Sequence, residues 1–152
     1  MLELLTILYS ALPVTELRAS IPLAISWGLN PIYVLFLAII GNIIPVFILI
    51  FGLDKINSLT KKYSPPLDKF LNWVFHRTRR KTSKKIKKYG NFALFLFVAI
   101  PLPMTGAWTG SIAAWLFGIP PKKAILPIIA GIITAGIIVT LISIGLFSYT
   151  AI

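Results

Sequence analysis

Two long apolar runs, Ile32–Phe51 and Lys123–Phe147, lie on either side of a strongly basic third of the chain. About 20 apolar residues in helical form cross a hydrocarbon core about 30 Å thick, so each run is expected to be a full membrane span. Composition agrees. Of the 152 residues 57% are hydrophobic and 12% charged, against about 25% charged in soluble domains, and the mean hydropathy is +0.89. An integral membrane protein of one domain is expected, spanning residues 1–152. It falls into an apolar repeat over 1–53, a basic linker over 54–90 and a second apolar repeat over 91–152. Met1-Leu2-Glu3 lacks a basic leader, and no small-residue cleavage site follows, so no signal peptide is expected. With no cysteine there is no disulfide and no thiolate site, and the lone histidine, His76, sits in the basic third.

The other two apolar segments are broken. Leu4 to Leu29 is interrupted by Pro13-Val14-Thr15-Glu16-Leu17-Arg18-Ala19-Ser20-Ile21-Pro22, and Phe92 to Ile119 by Pro101, Pro103, Gly106 and Gly110. A charge at bilayer depth costs from roughly 3 to more than 10 kcal/mol and needs water, a partner or a function. Glu16 and Arg18 are therefore the first candidates for a working site, with Pro13, Pro22, Pro101, Pro103, Gly106 and Gly110 as the hairpin breaks.

A shift of 90 positions superimposes the apolar thirds. Leu12-Pro13 and Thr15 fall on Leu102-Pro103 and Thr105, Gly28 on Gly118, Pro31 on Pro121, and Gly41 on Gly131; 10 of the 40 positions from 11 to 50 match without a gap. Roughly four matches would arise from shared Ile and Leu alone, and the coincident Pro and Gly carry most of the signal. Internal repeats with Gly- or Pro-interrupted segments point to a transporter's binding site. The stretch from Asp54 to Gly90 holds 12 of the 15 Lys and Arg against two acids and is expected on the cytoplasmic side of a cell membrane. If the second broken segment crossed completely, Lys122 and Lys123 would lie outside. A re-entrant turn keeps them inside and fits better. Each repeat is then a re-entrant helical hairpin plus one transmembrane helix, the two repeats are inverted, the hairpin tips meet near the midplane, and both termini are outside. Irregular backbone at that depth must be buried or line a wet cavity.

Leu12-Pro13-Val14-Thr15-Glu16-Leu17-Arg18-Ala19-Ser20-Ile21-Pro22 and Ala99-Ile100-Pro101-Leu102-Pro103-Met104-Thr105-Gly106-Ala107-Trp108-Thr109-Gly110 resemble the two signature motifs of the putative small multi-drug export protein family. That family is distantly similar to the DedA and VTT membrane proteins, so the resemblance implies paired re-entrant hairpins and a role in moving lipid-like molecules. One departure matters. The paired arginines of DedA proteins would fall near Val98 and Met104, neither of which is basic, so the resemblance does not carry the DedA route for anionic lipid to this chain.

In the first broken segment Glu16 is the only acid. Burial and a nearby cation pull its proton affinity in opposite directions, which suits a residue that couples protons to transport. The competing reading is structural: Glu16 and Arg18 form a static pair, or cap broken helix ends. Residues two apart do not face each other on a helix, so a direct pair needs non-helical backbone. Arg18 can also hold an anionic headgroup or carboxylate. Thr15, Ser20, Thr105 and Thr109 offer hydroxyls to a substrate or ion. Trp108 can stack on an apolar or cationic substrate, although simple packing is the commoner use of an aromatic ring. Gly41 and Gly131 are scaffold positions where helices approach closely.

In the linker, Ser64-Pro65-Pro66 opens an expected amphipathic helix with Leu67, Phe70, Leu71, Val74 and Phe75 on one face. Arg77, Arg79, Arg80, Lys81, Lys84, Lys85, Lys87 and Lys88 would meet anionic headgroups, each worth about 1 kcal/mol. Nucleic acid is not expected as a partner, because the positive-inside rule already accounts for the cluster. Small size and Gly-rich helix faces suggest a homodimer. No cofactor or metal is expected, and no catalytic constellation is present to make an enzyme. The reading is an all-α integral membrane protein that acts as a small transporter or translocase for an amphipathic or lipid-like substrate, with proton coupling through Glu16. A passive ion channel and a structural membrane protein without transport are the alternatives.

Overall fold

The computed structural model describes residues 1–63, 66, 69, 73, 89–101 and 105–150. Among the described residues the chain is all helical, with six helices: α1 (Leu2–Ala11), α2 (Glu16–Ser26), α3 (Pro31–Tyr63), α4 (Tyr89–Ala99), α5 (Ala107–Leu116) and α6 (Pro121–Thr150). Two are long and apolar enough to cross a membrane, α3 over Pro31–Leu53 and α6 over Pro121–Ser148. α1, α2 and α5, of 10 or 11 residues, are too short to span on their own. Arg77, Arg79, Arg80, Lys81, Lys84, Lys85 and the expected amphipathic helix lie outside the described residues, as does Pro103.

Local sequence explains the element ends. Both α2 and α5 stop in the same way. The Gly28 N–H bonds Ile25 O at 2.9 Å and the Leu29 N–H bonds Ala24 O at 3.3 Å, with Gly28 at φ 86°. At the end of α5, Gly118 N–H bonds Trp115 O at 3.0 Å and Ile119 N–H bonds Ala114 O at 2.9 Å, with Gly118 at φ 70°. This is the Schellman pattern, which needs a left-handed residue just past the helix and so favours glycine. Two residues on, Pro31 and Pro121 open the long helices from the first helical position, where a missing N–H costs nothing. Asn30 caps α3, its Oδ1 accepting from Ile32 N at 2.9 Å. The structure extends α3 past the apolar run to Tyr63. No proline or glycine interrupts residues 53–63.

The surface and interior are arranged for lipid. Ile32, Phe36, Ile40, Ile48 and Phe51 of α3, and Leu126, Leu141, Ile142 and Leu146 of α6, are all exposed. Such an apolar face is not one a soluble monomer leaves to water. Together with the two spans it makes the chain a membrane protein. Inside, Leu17, Ile21, Val34, Val46, Ile128 and Ile132 form the core with the small residues Ala24, Ala38, Ala107 and Ala135. Small residues let membrane helices approach closely, which is where their packing energy comes from. At Gly41 of α3 an added Cβ would fall on the Ile7 carbonyl and within 2.8 Å of Ser10 Cβ of α1; at Gly131 of α6 it would come within 2.7 Å of Val98 Cβ of α4. Each long helix thus rests on the first short helix of its own third of the chain.

Candidate functional site

The two broken segments meet through their helix ends. A helix leaves its last four carbonyls and first four amides without internal partners, and at bilayer depth each must be satisfied by protein. α1 ends at Ala11 and α4 at Ala99; Leu12–Thr15 before α2, and the described residues Ile100, Pro101, Thr105 and Gly106 before α5, are not helical. The Arg18 Nη2, from α2, donates to Thr105 Oγ1 at 3.0 Å and reaches the Ile100 carbonyl at 3.5 Å, just past the end of α4. Thr105 Oγ1 itself donates to that carbonyl at 2.8 Å. In the opposite direction, Trp108 Nε1, from α5, donates to the Ala11 carbonyl at the end of α1 at 3.0 Å. Arg18 and Trp108 are 90 positions apart, and each caps the first helix of the other segment. Thr15 completes the α1 end by donating its hydroxyl to Tyr9 O.

Glu16 does the same work at a helix start. Its Oε1 accepts from the Trp108 backbone N–H at 3.3 Å, with the Ala107 amide beside it. The carboxylate of α2 therefore caps α5, whose own N-cap is the side-chain-less Gly106. An acid at a helix N-terminus is favoured by the free amides and the helix dipole. Glu16 is 6% exposed and sits at φ 45°. That left-handed backbone, unusual for a residue with a Cβ, aims the carboxylate across at α5 instead of along its own helix. The geometry makes Glu16 a cap and not simply half of a static pair with Arg18.

Beside these caps is a cavity of about 350 Å³ lined by Pro13, Val14, Thr15, Glu16, Arg18, Ala19, Pro101, Thr105 and Thr109. It is open to the outside, apolar along the prolines and alanine, and carries one acid, one cation and three hydroxyls. Apolar walls with a few convergent polar groups suit a ligand that is itself amphipathic.

Several expected positions are placed differently. Ser20 is fully buried against α1, paired Oγ to Oγ with Ser10, which bonds Thr6 O at 2.8 Å. It does not line the cavity. Trp108 is likewise not among the lining residues; its indole N–H caps the end of α1. Pro22 lies inside α2 and Gly110 inside α5, so neither breaks a helix. Pro22, the seventh residue of α2, withholds one helical N–H from the Arg18 carbonyl without ending the helix, and Gly110 is small because an added Cβ would lie 2.5 Å from Val98 Cγ2. The breaks fall at Leu12–Thr15 and around Pro101 and Gly106. Asn42 was missed by sequence reasoning. It is a polar residue mid-way along the apolar run of α3, 1% exposed, and its Oδ1 has no hydrogen-bond partner. The rule that embedded polar residues are functional candidates would have found it had it been applied to neutral side chains.

The Trp108 cap gives a clean prediction. Trp108→Phe keeps the aromatic packing and removes the indole donor, leaving the Ala11 carbonyl unsatisfied. The expected loss is about 1–2 kcal/mol, read as an earlier thermal unfolding in detergent. An unchanged melting temperature would mean that water or lipid replaces the bond.

No curated protein and no solved structure matches the chain. The family described as "Putative small multi-drug export protein" matches it over residues 16–138. That stretch begins at Glu16 and takes in Arg18, Thr105, Trp108, all of α3 and most of α6. The chain belongs to this family.

Proposed function

We propose that the protein is a small transporter of an amphipathic or lipid-like substrate. In this reading α1–α2 and α4–α5 are re-entrant hairpins of two inverted repeats, with the basic linker cytoplasmic, its cations on anionic headgroups, and both termini outside. The observation that carries it is the reciprocal capping by Arg18 and Trp108. Equivalent positions of two repeats reach across to the opposite broken helix, beside a cavity that Arg18 and Glu16 help to line. Broken helices joined at a shared site are the arrangement in which many transporters bind their cargo. The matching Schellman ends at Gly28 and Gly118, and the matching contacts of Gly41 and Gly131, support the repeat. The family's name supports export over catalysis.

The site's own residues suggest the steps. An amphipathic molecule enters the cavity with its apolar part along Pro13, Ala19 and Pro101 and its polar part toward Arg18, Glu16 and the threonines. Glu16 holds α2 to α5 only while its carboxylate accepts from the Trp108 and Ala107 amides. Protonation turns one acceptor oxygen into a hydroxyl and weakens that hold. Proton occupancy and the joint between the hairpins are then linked, which is what coupling requires.

The test is transbilayer movement of labelled lipids and amphipathic cations in vesicles holding purified protein, at two pH values. Wild type is expected to move at least one member of the panel at a rate that depends on pH. Glu16→Gln is expected to slow that movement at least tenfold and abolish its pH dependence while the protein still melts cooperatively. No movement by wild type would overturn the transporter reading and favour a channel or a structural role.

A further inference from the structure

Asn42 takes no part in the caps described above, yet it lies at the same place. Its side chain, Glu16, Arg18, Gly106 and Ile132 line one void too narrow to admit a water molecule. A buried carbonyl oxygen without a donor is rare in folded proteins and calls for an explanation. Packing does not supply one. Under the 90-residue repeat Asn42 corresponds to Ile132, which is fully buried at the same void. An aliphatic side chain therefore serves the scaffold at this level. The repeat pairs Glu16 with Gly106 in the same way, so the three polar members of the void, Glu16, Arg18 and Asn42, all come from the first repeat.

The missing donor must be small and already present. Water does not fit, and a hydrated ion fits less well. Arg18 also lines the void and has a buried Nε–H, but its Nη2 is turned to Thr105 and the α4 end, and a bond from its permanently charged guanidinium would not depend on pH. It is the charged group beside Glu16. Toward the void α5 presents Gly106 and Ala107, α6 presents Ile132 and Ala135, and α4 presents Val98. Among the described residues no other titratable side chain lines it. An ionised carboxylate only accepts, whereas a protonated one donates. We propose that Glu16 and Asn42 together form a proton-binding site across α2 and α3, in which the protonated Glu16 carboxyl donates its O–H to Asn42 Oδ1. The proton comes from water at the open cavity, adds to one carboxylate oxygen, and leaves by the same route. No covalent bond is broken. The carboxyl thus has two partners: the α5 amides when ionised, and Asn42 when protonated. The binding site stands on this geometry, and only its consequence for transport rests on the proposed function.

The experiment is pH-difference infrared spectroscopy of the full chain in lipid. Wild type is expected to show a carboxylic-acid C=O band that appears on acidification and is absent in Glu16→Gln. In Asn42→Leu its midpoint is expected to move about one unit to lower pH, the size of one lost hydrogen bond. Should Asn42→Leu not fold, wild type labelled with carbon-13 in the asparagine side-chain carbonyl gives the same answer. One labelled band is expected to move to lower frequency with the Glu16 midpoint, and to stay still in Glu16→Gln. An unshifted midpoint in Asn42→Leu, a labelled band indifferent to pH, or no Glu16 band in wild type would overturn the proposal. Vesicle transport separates the two ideas. The spectra without any flux would remove the transporter and leave the proton site, while pH-dependent flux without the spectra would do the reverse.

Discussion

Gly106→Ala is expected to lower the protein's stability by about 3 kcal/mol and to remove most of the transport proposed above. Gly106 sits at φ 151°, ψ −164°, in a region that only glycine occupies freely, and forcing another residue there costs about 1–3 kcal/mol. The added methyl would also fall on the Glu16 carboxylate, at 2.7 Å from its Cδ and 2.8 Å from Oε1. Overpacking of this kind costs typically 1–3 kcal/mol. Displacing the carboxylate breaks the α2–α5 cap as well, so stability and activity are lost together. Thermal melting in detergent and vesicle transport check both. Gly145→Ala is the control, since an added Cβ there meets nothing within 4 Å. Wild-type melting in Gly106→Ala would show that the carboxylate can leave this position freely and that the cap does not hold α2 to α5.

Gly41→Ala and Gly131→Ala form a second pair of large effects. In an exposed helix interior, replacing glycine by alanine stabilises by about 1 kcal/mol. Here the sign is expected to reverse. The new Cβ at Gly41 meets the Ile7 backbone, and at Gly131 it lies 3.0 Å from the Phe95 carbonyl and 2.9 Å from Val98 Cγ1. Backbone cannot move aside as the end of a flexible side chain can, so α1 must shift on α3, and α4 on α6. A net loss of about 1–3 kcal/mol in each variant is expected. Gly52→Ala, with nothing within 4 Å, is expected to be neutral or stabilising. The comparison needs only melting temperatures. Equal behaviour of Gly41→Ala and Gly52→Ala would show that α1 is not seated against α3 through this contact. Similar losses at Gly41 and Gly131 would also support the repeat, because they lie 90 residues apart and each seats a short helix on a long one.

Much of this was legible in the sequence for a definite reason. Apolar length decides whether a helix can span a bilayer, and it is a one-dimensional property, so α3 and α6 could be read directly. Glycine and proline act on the backbone where they stand, which is why Gly28-Leu29-Asn30-Pro31 and Gly118-Ile119-Pro120-Pro121 marked the same helix end and helix start. A carboxylate and a guanidinium in an apolar stretch are costly wherever they point, so Glu16 and Arg18 stood out before any fold was known. The alternative that they cap broken helices was open at that stage.

Partners were decided only by the tertiary structure. Glu16 meets Trp108 and Ala107 across some 90 residues, and Trp108 meets Ala11 across 97. Sequence spacing says which residues share a helix face but not which two helix ends abut. Orientation was the second hidden quantity. Ser20 and Trp108 carry groups that would suit a substrate, yet one faces Ser10 and the other the end of α1, because each helix turns its side chains toward whichever neighbour packs closest. Asn42 shows the converse. One amide among Ile and Leu barely alters the hydropathy of a span, and only close packing of α2, α3, α5 and α6 places it beside an acid. The sequence by itself determined that the chain lives in a membrane, where its two long helices start, and which charges lie in its apolar segments; the packing of the helices decided what those charges hold, because a hydrogen bond depends on distance in space and not on distance along the chain.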